Sequence, residues 1–313
     1  MIAHPGGSFS VDAYPKVAVD SAGDAYFTWN GLDANAKHRV YARRLSAGGT
    51  FGPLLTLSGP GVSDSRMAVN GSAAAIFVWA AKVDSSHNDI QARQLTSSGV
   101  LGPIKTIGEG VAPEAGGGLG TVNPEAGIDS QGNSYIVWEQ PDGHGACGIF
   151  GCPKVLGRPL SASGTVGTVP QTLTTTVDGG FSPQIAMTAN GNAFVMWKHA
   201  GMEGRTRSAA GALGPLQKLT ANTGADIPLL KGDATGNTVA VWQNGGVVQA
   251  RARTAAGALG LLRSFSIGTQ PAGGAALGVG SAGNAVIAWG QSDGLGQCFG
   301  GSSCGRVGAA VGP

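Results

Sequence analysis

The stretch PKVAVDSAGDAYFTW, Pro15 to Trp29, decides the fold, because it returns five more times along the chain. Aligned on its tryptophan, it begins again without gaps at Ser65, Pro124, Pro183, Pro228 and Ala275. The six tryptophans, Trp29, Trp79, Trp138, Trp197, Trp242 and Trp289, stand 50, 59, 59, 45 and 47 residues apart. Self-similarity at this period is the signature of a repeat architecture. Proline opens four of the copies. Glycine takes the ninth position in five (Gly23, Gly132, Gly191, Gly236, Gly283), with Ala73 the exception.

Each copy reads as strand, turn, strand. Apolar residues alternate in the first half, as in Val17 and Val19 or Ile185 and Met187. Between them sits a small residue (Ala18, Ala68, Gly127, Ala186, Gly278), replaced by Lys231 in the fifth copy, which suits a crowded innermost strand. The Asp-Ser-Ala-Gly-Asp turn and its variants use Gly and Asx chemistry to reverse the chain. The second half is apolar almost throughout, as in Phe194 to Trp197. Such a strand needs cover on both faces.

Working outward, a third strand follows: Val40-Tyr-Ala-Arg43, Ile90-Gln-Ala-Arg93, Val155-Leu-Gly-Arg158 and Val248-Gln-Ala-Arg251. A glycine turn and a fourth strand come next, from Gly49 and Gly99 for example. Four antiparallel strands per repeat of this length make a propeller blade. The sequence therefore predicts an all-β fold, one six-bladed β-propeller domain over 1–313. Its blades span 15–58, 65–107, 124–173, 183–219, 228–267 and 275–313. The last lacks a fourth strand, and residues 7–11 are expected to supply it. Ser8-Phe9-Ser10-Val11 matches Ser264-Phe265-Ser266-Ile267 of the fifth blade. Such closure removes exposed sheet edges.

Glycine makes up 55 of 313 residues and charged residues only 12%, with an apolar share of 42%. Many tight turns between short strands account for that mix. A net charge of +2 with no Lys/Arg run argues against a nucleic-acid partner. No run of 18 apolar residues offers a membrane span. The N-terminus has no apolar signal core, so a secreted protein would be represented here by a mature chain or a fragment. Cysteines form two close pairs, Cys147 with Cys152 and Cys298 with Cys304, in Gly-rich loops. Four cysteines allow three connectivities, and proximity favours two loop-closing disulfides in an oxidising, extracellular setting. Four free thiols are the alternative. Neither pair has the spacing of a zinc site.

The module P-x-V-A-V-D-x-x-G-N-x-x-x-x-W, best seen from Pro124 to Trp138, resembles NHL-type and related bacterial propeller repeats. Copies ending in A-x-G-x-L-G-P are similar to repeats of secreted actinobacterial proteins. The resemblance covers nearly the whole chain. It implies a propeller and interaction or ligand binding more often than catalysis.

In a four-stranded meander, second-to-third loops share one face with the connections between blades. These loops vary in length, and long variable loops tend to carry binding. From the tryptophan to the third strand, blades three and six take 17 and 18 residues against 5 and 6 in blades four and five. Polar candidates on that face are Asp33, His38, Asp84, His87, Asp142, His144, His199 and Asp293. They allow a polar, metal or acid–base site, or plain solvated loops. The tryptophans, with Arg43, Arg93, Arg158, Arg205 and Arg251, form either a structural spine or sugar sites between blades. No nucleophile elbow, phosphate loop or dinucleotide fingerprint stands out. The sequence thus favours a secreted, non-enzymatic binding scaffold, monomeric, with a protein or glycan partner and without metal or cofactor. A multivalent carbohydrate-binding propeller, and a hydrolase or lyase using loop His and Asp residues, are the alternatives.

Overall fold

The computed structural model describes residues 11–85, 87–111, 122–141, 153–174, 179–265, 272–280, 283–297 and 303–312. Every element in them is a strand, in six antiparallel sheets. The first sheet is β1 (Val11–Val19), β2 (Ala25–Leu32), β3 (His38–Leu45) and β4 (Leu55–Thr56), in that order. The second is β5 (Val62–Val69), β6 (Ala75–Lys82), β7 (Asn88–Leu95) and β8 (Lys105–Val111). The third holds β9 (Glu125–Ile128), β10 (Ser134–Pro141), β11 (Pro153–Leu160) and β12 (Gln171–Thr172). The fourth is β13 (Phe181–Met187), β14 (Ala193–Lys198), β15 (Met202–Arg207) and β16 (Gln217–Thr220). The fifth is β17 (Ala225–Gly232), β18 (Thr238–Asn244), β19 (Val247–Arg253) and β20 (Arg263–Ser264). The sixth has three strands, β21 (Ala272–Val279), β22 (Ala285–Gln297) and β23 (Ser303–Gly312).

The repeated turn explains its own sequence. Asp20 Oδ1 accepts the N–H groups of Ala22 and Asp24 at 2.9 and 3.0 Å. Asn70, Asp129 and Asp233 cap the equivalent turns in the same way. The ninth module position is left-handed throughout. Gly23 has φ 85°, Gly132 89°, and even Ala73 takes 66°, a conformation that costs a residue with a Cβ about 1 kcal/mol.

By contacts the chain divides into two compact units, Met1–Pro183 with Ala189–Gly191, and Gln184–Thr188 with Asn192–Pro313. In the first, β6 shows why the second strand is apolar on both sides. Phe77 and Trp79 pack with Tyr26, Val40 and Leu57 of the first sheet. Ile76, Val78 and Ala80 pack with Ala126, Ile136 and Trp138 of the third. In the second unit, Trp242 lies with Phe194, Met196 and Leu219, while Val241 and Val248 meet Ile287 and Trp289.

Two outer faces depart from full cover. Val17 and Val19 on β1 are 61% and 58% exposed, and Val307 on β23 is 82% exposed. The expectation that 7–11 complete the sixth sheet needs correction at Val11. That residue lies in β1, opposite Gly31 of the first sheet, so it is already committed there. Residues 7–10 lie outside the described residues.

Candidate active site

Inner strands carry a recurrent break just before the repeated module. Register shifts occur between Ser63 and Arg66, Asp226 and Leu229, and Gly273 and Ala276. At the residue preceding the module, Asp64, Asn123 and Ser182 are left-handed, with φ 51°, 38° and 50°. Each stores strain of about 1–3 kcal/mol, a feature that gathers at functional sites. A bulge re-aims a side chain that a regular strand would turn away.

In the first unit, polar and charged side chains adjoin these left-handed residues. Asp64 is half-buried, and burial pushes its carboxyl above the usual carboxylate range, while Arg66 and the Ser63 hydroxyl pull it down. Arg66, two residues on, donates from Nε to Glu125 Oε1 at 2.9 Å and from Nη1 to its neighbour's carbonyl, that of Ser65, at 3.1 Å. Glu139, at the end of β10 and 2% exposed, accepts from Asn123 Nδ2 at 2.7 Å and from the Ser182 N–H at 2.8 Å. One buried carboxylate thus holds two of the three left-handed residues. Burial thus raises the Asp64 carboxyl, while Glu125, on the inner strand of the next sheet, is ion-paired with Arg66.

The sequence reading passed over these residues, although a signal was present. The second module position reads Lys16, Arg66, Glu125 and Gln184 in the first four copies, then Leu229 and Ala276. Charge on an inner strand, where small and apolar residues are otherwise found, marks the strands that face something polar.

The residues that the sequence did single out fall in separate local pairs. Asp33 Oδ1 caps its own turn through the N–H groups of Asn35 and Lys37, and Oδ2 accepts Arg39 Nε at 2.6 Å. The Arg39 hydrogen bond holds the Asp33 carboxyl below its ordinary range. His38 begins β3 opposite Leu32 and is half-buried. His87 Nδ1 sits 3.2 Å from Asp84 on an exposed turn. His199 Nδ1 lies 3.1 Å from Glu203 Oε2, with Lys218 Nζ 3.4 Å from Oε1. Each of these pairings stays inside one sheet. Asp142, His144, Cys147, Cys152 and Cys298 lie outside the described residues. Asp293 and Cys304 stand on β22 and β23, and their side chains are not described. Among the described residues no group of three or more His, Cys, Asp or Glu could hold a metal ion. No helix there is long and apolar enough to cross a membrane.

The tryptophans and arginines are structural in their contacts. Trp79, Trp138, Trp197, Trp242 and Trp289 are buried, leaving no ring face for a sugar, and Trp29 is half-buried on Tyr41. Trp79 Nε1 donates to Gln91 and Trp242 Nε1 to Gln249, the glutamines of Ile90-Gln-Ala-Arg93 and Val248-Gln-Ala-Arg251. The arginines of that motif reach nine residues on. Nε of Arg43, Arg93, Arg158 and Arg251 donates to the carbonyls of Gly52, Gly102, Gly167 and Gly260. Nη1 of three of them then bonds the preceding sheet: Arg93 to Leu57, Arg158 to Ile107 and Arg251 to Leu219. Arg205 holds the same register position, with a buried Nε that has no partner. Arg43 stacks on Phe51 rather than pairing with a turn aspartate.

No family model matches the chain, NHL-type repeats included, and no curated protein sequence matches it. Solved structures do resemble it. A protein of unknown function from Dyadobacter fermentans has a TM-score of 0.55 at 10% identity, covering 96% of this chain and 94% of that one. The alpha-L-arabinanase of Penicillium chrysogenum, complexed with arabinobiose, gives 0.53 at 14% identity over 95% and 92%. The NanB sialidase of Streptococcus pneumoniae gives 0.51 at 8% identity over 92% and 67%. At such identities the likeness shows the fold, an all-β set of propeller blades. Two of these three, the arabinanase and the sialidase, are glycosidases. The expectation of a non-enzymatic scaffold is corrected on that finding, and the hydrolase alternative fits the neighbours better.

Proposed function

We propose that the chain is a secreted glycoside hydrolase, built as one six-bladed propeller, with its reaction centre at the left-handed residues Asp64 and Asn123 that precede the second and third modules. Asp64 is the proton donor to the leaving oxygen, and Glu125, held by Arg66, is the second carboxylate. Glycosidases use two carboxyl groups in this way, one kept protonated by its surroundings. The single observation that carries the reading is Asp64: a left-handed residue on a bulge whose carboxyl burial pushes up. Glu139 is a positioning residue, since it binds Asn123 and Ser182 rather than facing a substrate. The glycosidase neighbours support the reaction class; the residues named come from this chain's own geometry.

The test is a panel of 4-methylumbelliferyl glycosides that includes arabinofuranosides and sialosides. The wild-type chain should release the fluorophore from at least one. Asp64→Asn should lower kcat by about 10²–10⁴, the usual share of a general acid. It should also melt higher at neutral pH, because a carboxyl with a raised pKa stabilises the fold only at low pH and loses that contribution as pH rises through its folded value. A panel without any turnover, or full activity in Asp64→Asn, would end the proposal.

A further inference from the structure

We propose that the second compact unit holds a binding site for a small monocarboxylate, an acid of two or three carbons, at a void beside Arg253. The repeats themselves mark the place. The third strand ends in leucine in three sheets, at Leu45, Leu95 and Leu160, and in arginine in the fourth and fifth, at Arg207 and Arg253. In the second sheet that leucine shares an apolar cluster with Tyr26. Arg253 takes the same place over Phe194, its guanidinium 4.3 Å from the ring centre. The residue is 7% exposed. Its Nε donates to Gln217 Oε1 at 2.8 Å and its Nη1 to the Thr254 carbonyl at 3.2 Å. Neither acceptor is charged, so these contacts give the cation no counter-ion. Buried charges are ordinarily paired, and burial pulls the pKa of this one down.

The void beside Arg253 measures about 110 Å³ and is lined also by Met187, Phe194, Thr206 and Thr238. Every residue on its wall belongs to the second unit. Thr238 pairs with Arg253 across β18 and β19, is 4% exposed, and has a hydroxyl without a partner. Such a volume has room for about three or four waters at roughly 30 Å³ each, hence for an acid the size of acetate. The wall also selects the charge. Asp233 lines it, with both oxygens engaged by their own turn. Oδ1 accepts the N–H groups of Thr235, Gly236 and Asn237 and the Thr235 hydroxyl, and Oδ2 accepts Asn237 Nδ2 at 2.8 Å. One cation beside a resident carboxylate suits a monoanion and disfavours a phosphate dianion. A guanidinium edge matches a planar carboxylate. The Thr238 hydroxyl adds a donor, and Met187 and Phe194 offer an apolar wall to the alkyl end.

The probe is acetate, followed by saturation-transfer NMR of its methyl protons with the full chain at fixed ionic strength. The signal should saturate as acetate is added. Arg253→Leu should weaken binding at least about tenfold, the scale of one charge-assisted contact. That variant should fold, since leucine holds the position in three other sheets. Thr238→Val should weaken binding about two- to tenfold, the scale of one neutral hydrogen bond. Arg207→Leu removes the same charge from outside this void and should leave binding unchanged. Absence of saturation, or equal binding by Arg253→Leu, overturns the proposal. So does an equal loss in Arg207→Leu, or a marked fall in the melting temperature of Arg253→Leu, which would make the arginine a structural anchor. Inorganic phosphate should displace acetate only at higher concentration, and displacement at lower concentration would overturn the choice of a monoanion.

Discussion

Replacing Arg158 by alanine should destabilise the first unit by about 3 kcal/mol. The side chain donates to Gly167 O at 2.6 Å, Ile107 O at 2.7 Å and Thr168 O at 2.9 Å. The three acceptors do not lose equally. Ile107 is fully buried, and a buried carbonyl left without its donor costs about 1–3 kcal/mol. The carbonyls of Gly167 and Thr168 belong to a surface turn that water can reach, so each is worth about 0.5–1.5 kcal/mol. At roughly 2–4 °C per kcal/mol for a unit of this size, calorimetry should show a melting temperature lower by about 6–12 °C. Arg158→Lys should recover only part of that, because an ammonium cannot reproduce the fork. A shift under about 2 °C would refute the reading that this arginine fastens one sheet to the next.

Other outcomes follow from single contacts. Ala73→Gly should raise stability by about 0.5–1 kcal/mol in urea unfolding, since Ala73 holds the left-handed turn position that glycine occupies in the other copies. Gly308→Val should cost about 1–3 kcal/mol, because a Cβ there would stand 2.5 Å from the Trp289 ring. Asp33→Asn should flatten the acid limb of a stability–pH curve. Its carboxyl is held below the ordinary value by Arg39, so the wild-type contribution is present above about pH 4 and lost as pH falls through the folded value. Salt should weaken that difference, because the pair is at the surface.

The strand count was legible because each level of the sequence agrees with the next. Pattern, turn chemistry and burial coincide at Trp79, where the indole, its Gln91 partner and the Arg93 anchor all come from one repeated text. The site was less legible. Loop histidines attract notice by type, yet His87 and His199 found partners three and four residues away. Asp64, Asn123 and Ser182 look unremarkable in sequence, and only the backbone reveals their shared left-handed bend. Val11 was assigned to the sixth sheet for a related reason: four matching residues suggested a strand there, whereas its pairing with Gly31 depends on register, which no local match reports.

The proposed delivery of a proton from Asp64 to a departing sugar oxygen can be probed by varying the leaving group. Wild type and Asp64→Asn should be compared on a 2,4-dinitrophenyl glycoside, whose leaving group departs without a proton, and on an alkyl glycoside of the same sugar. Asp64→Asn should turn over the first at a near-normal rate and lose about 10²–10⁴ on the second. An equal loss on both substrates would contradict it.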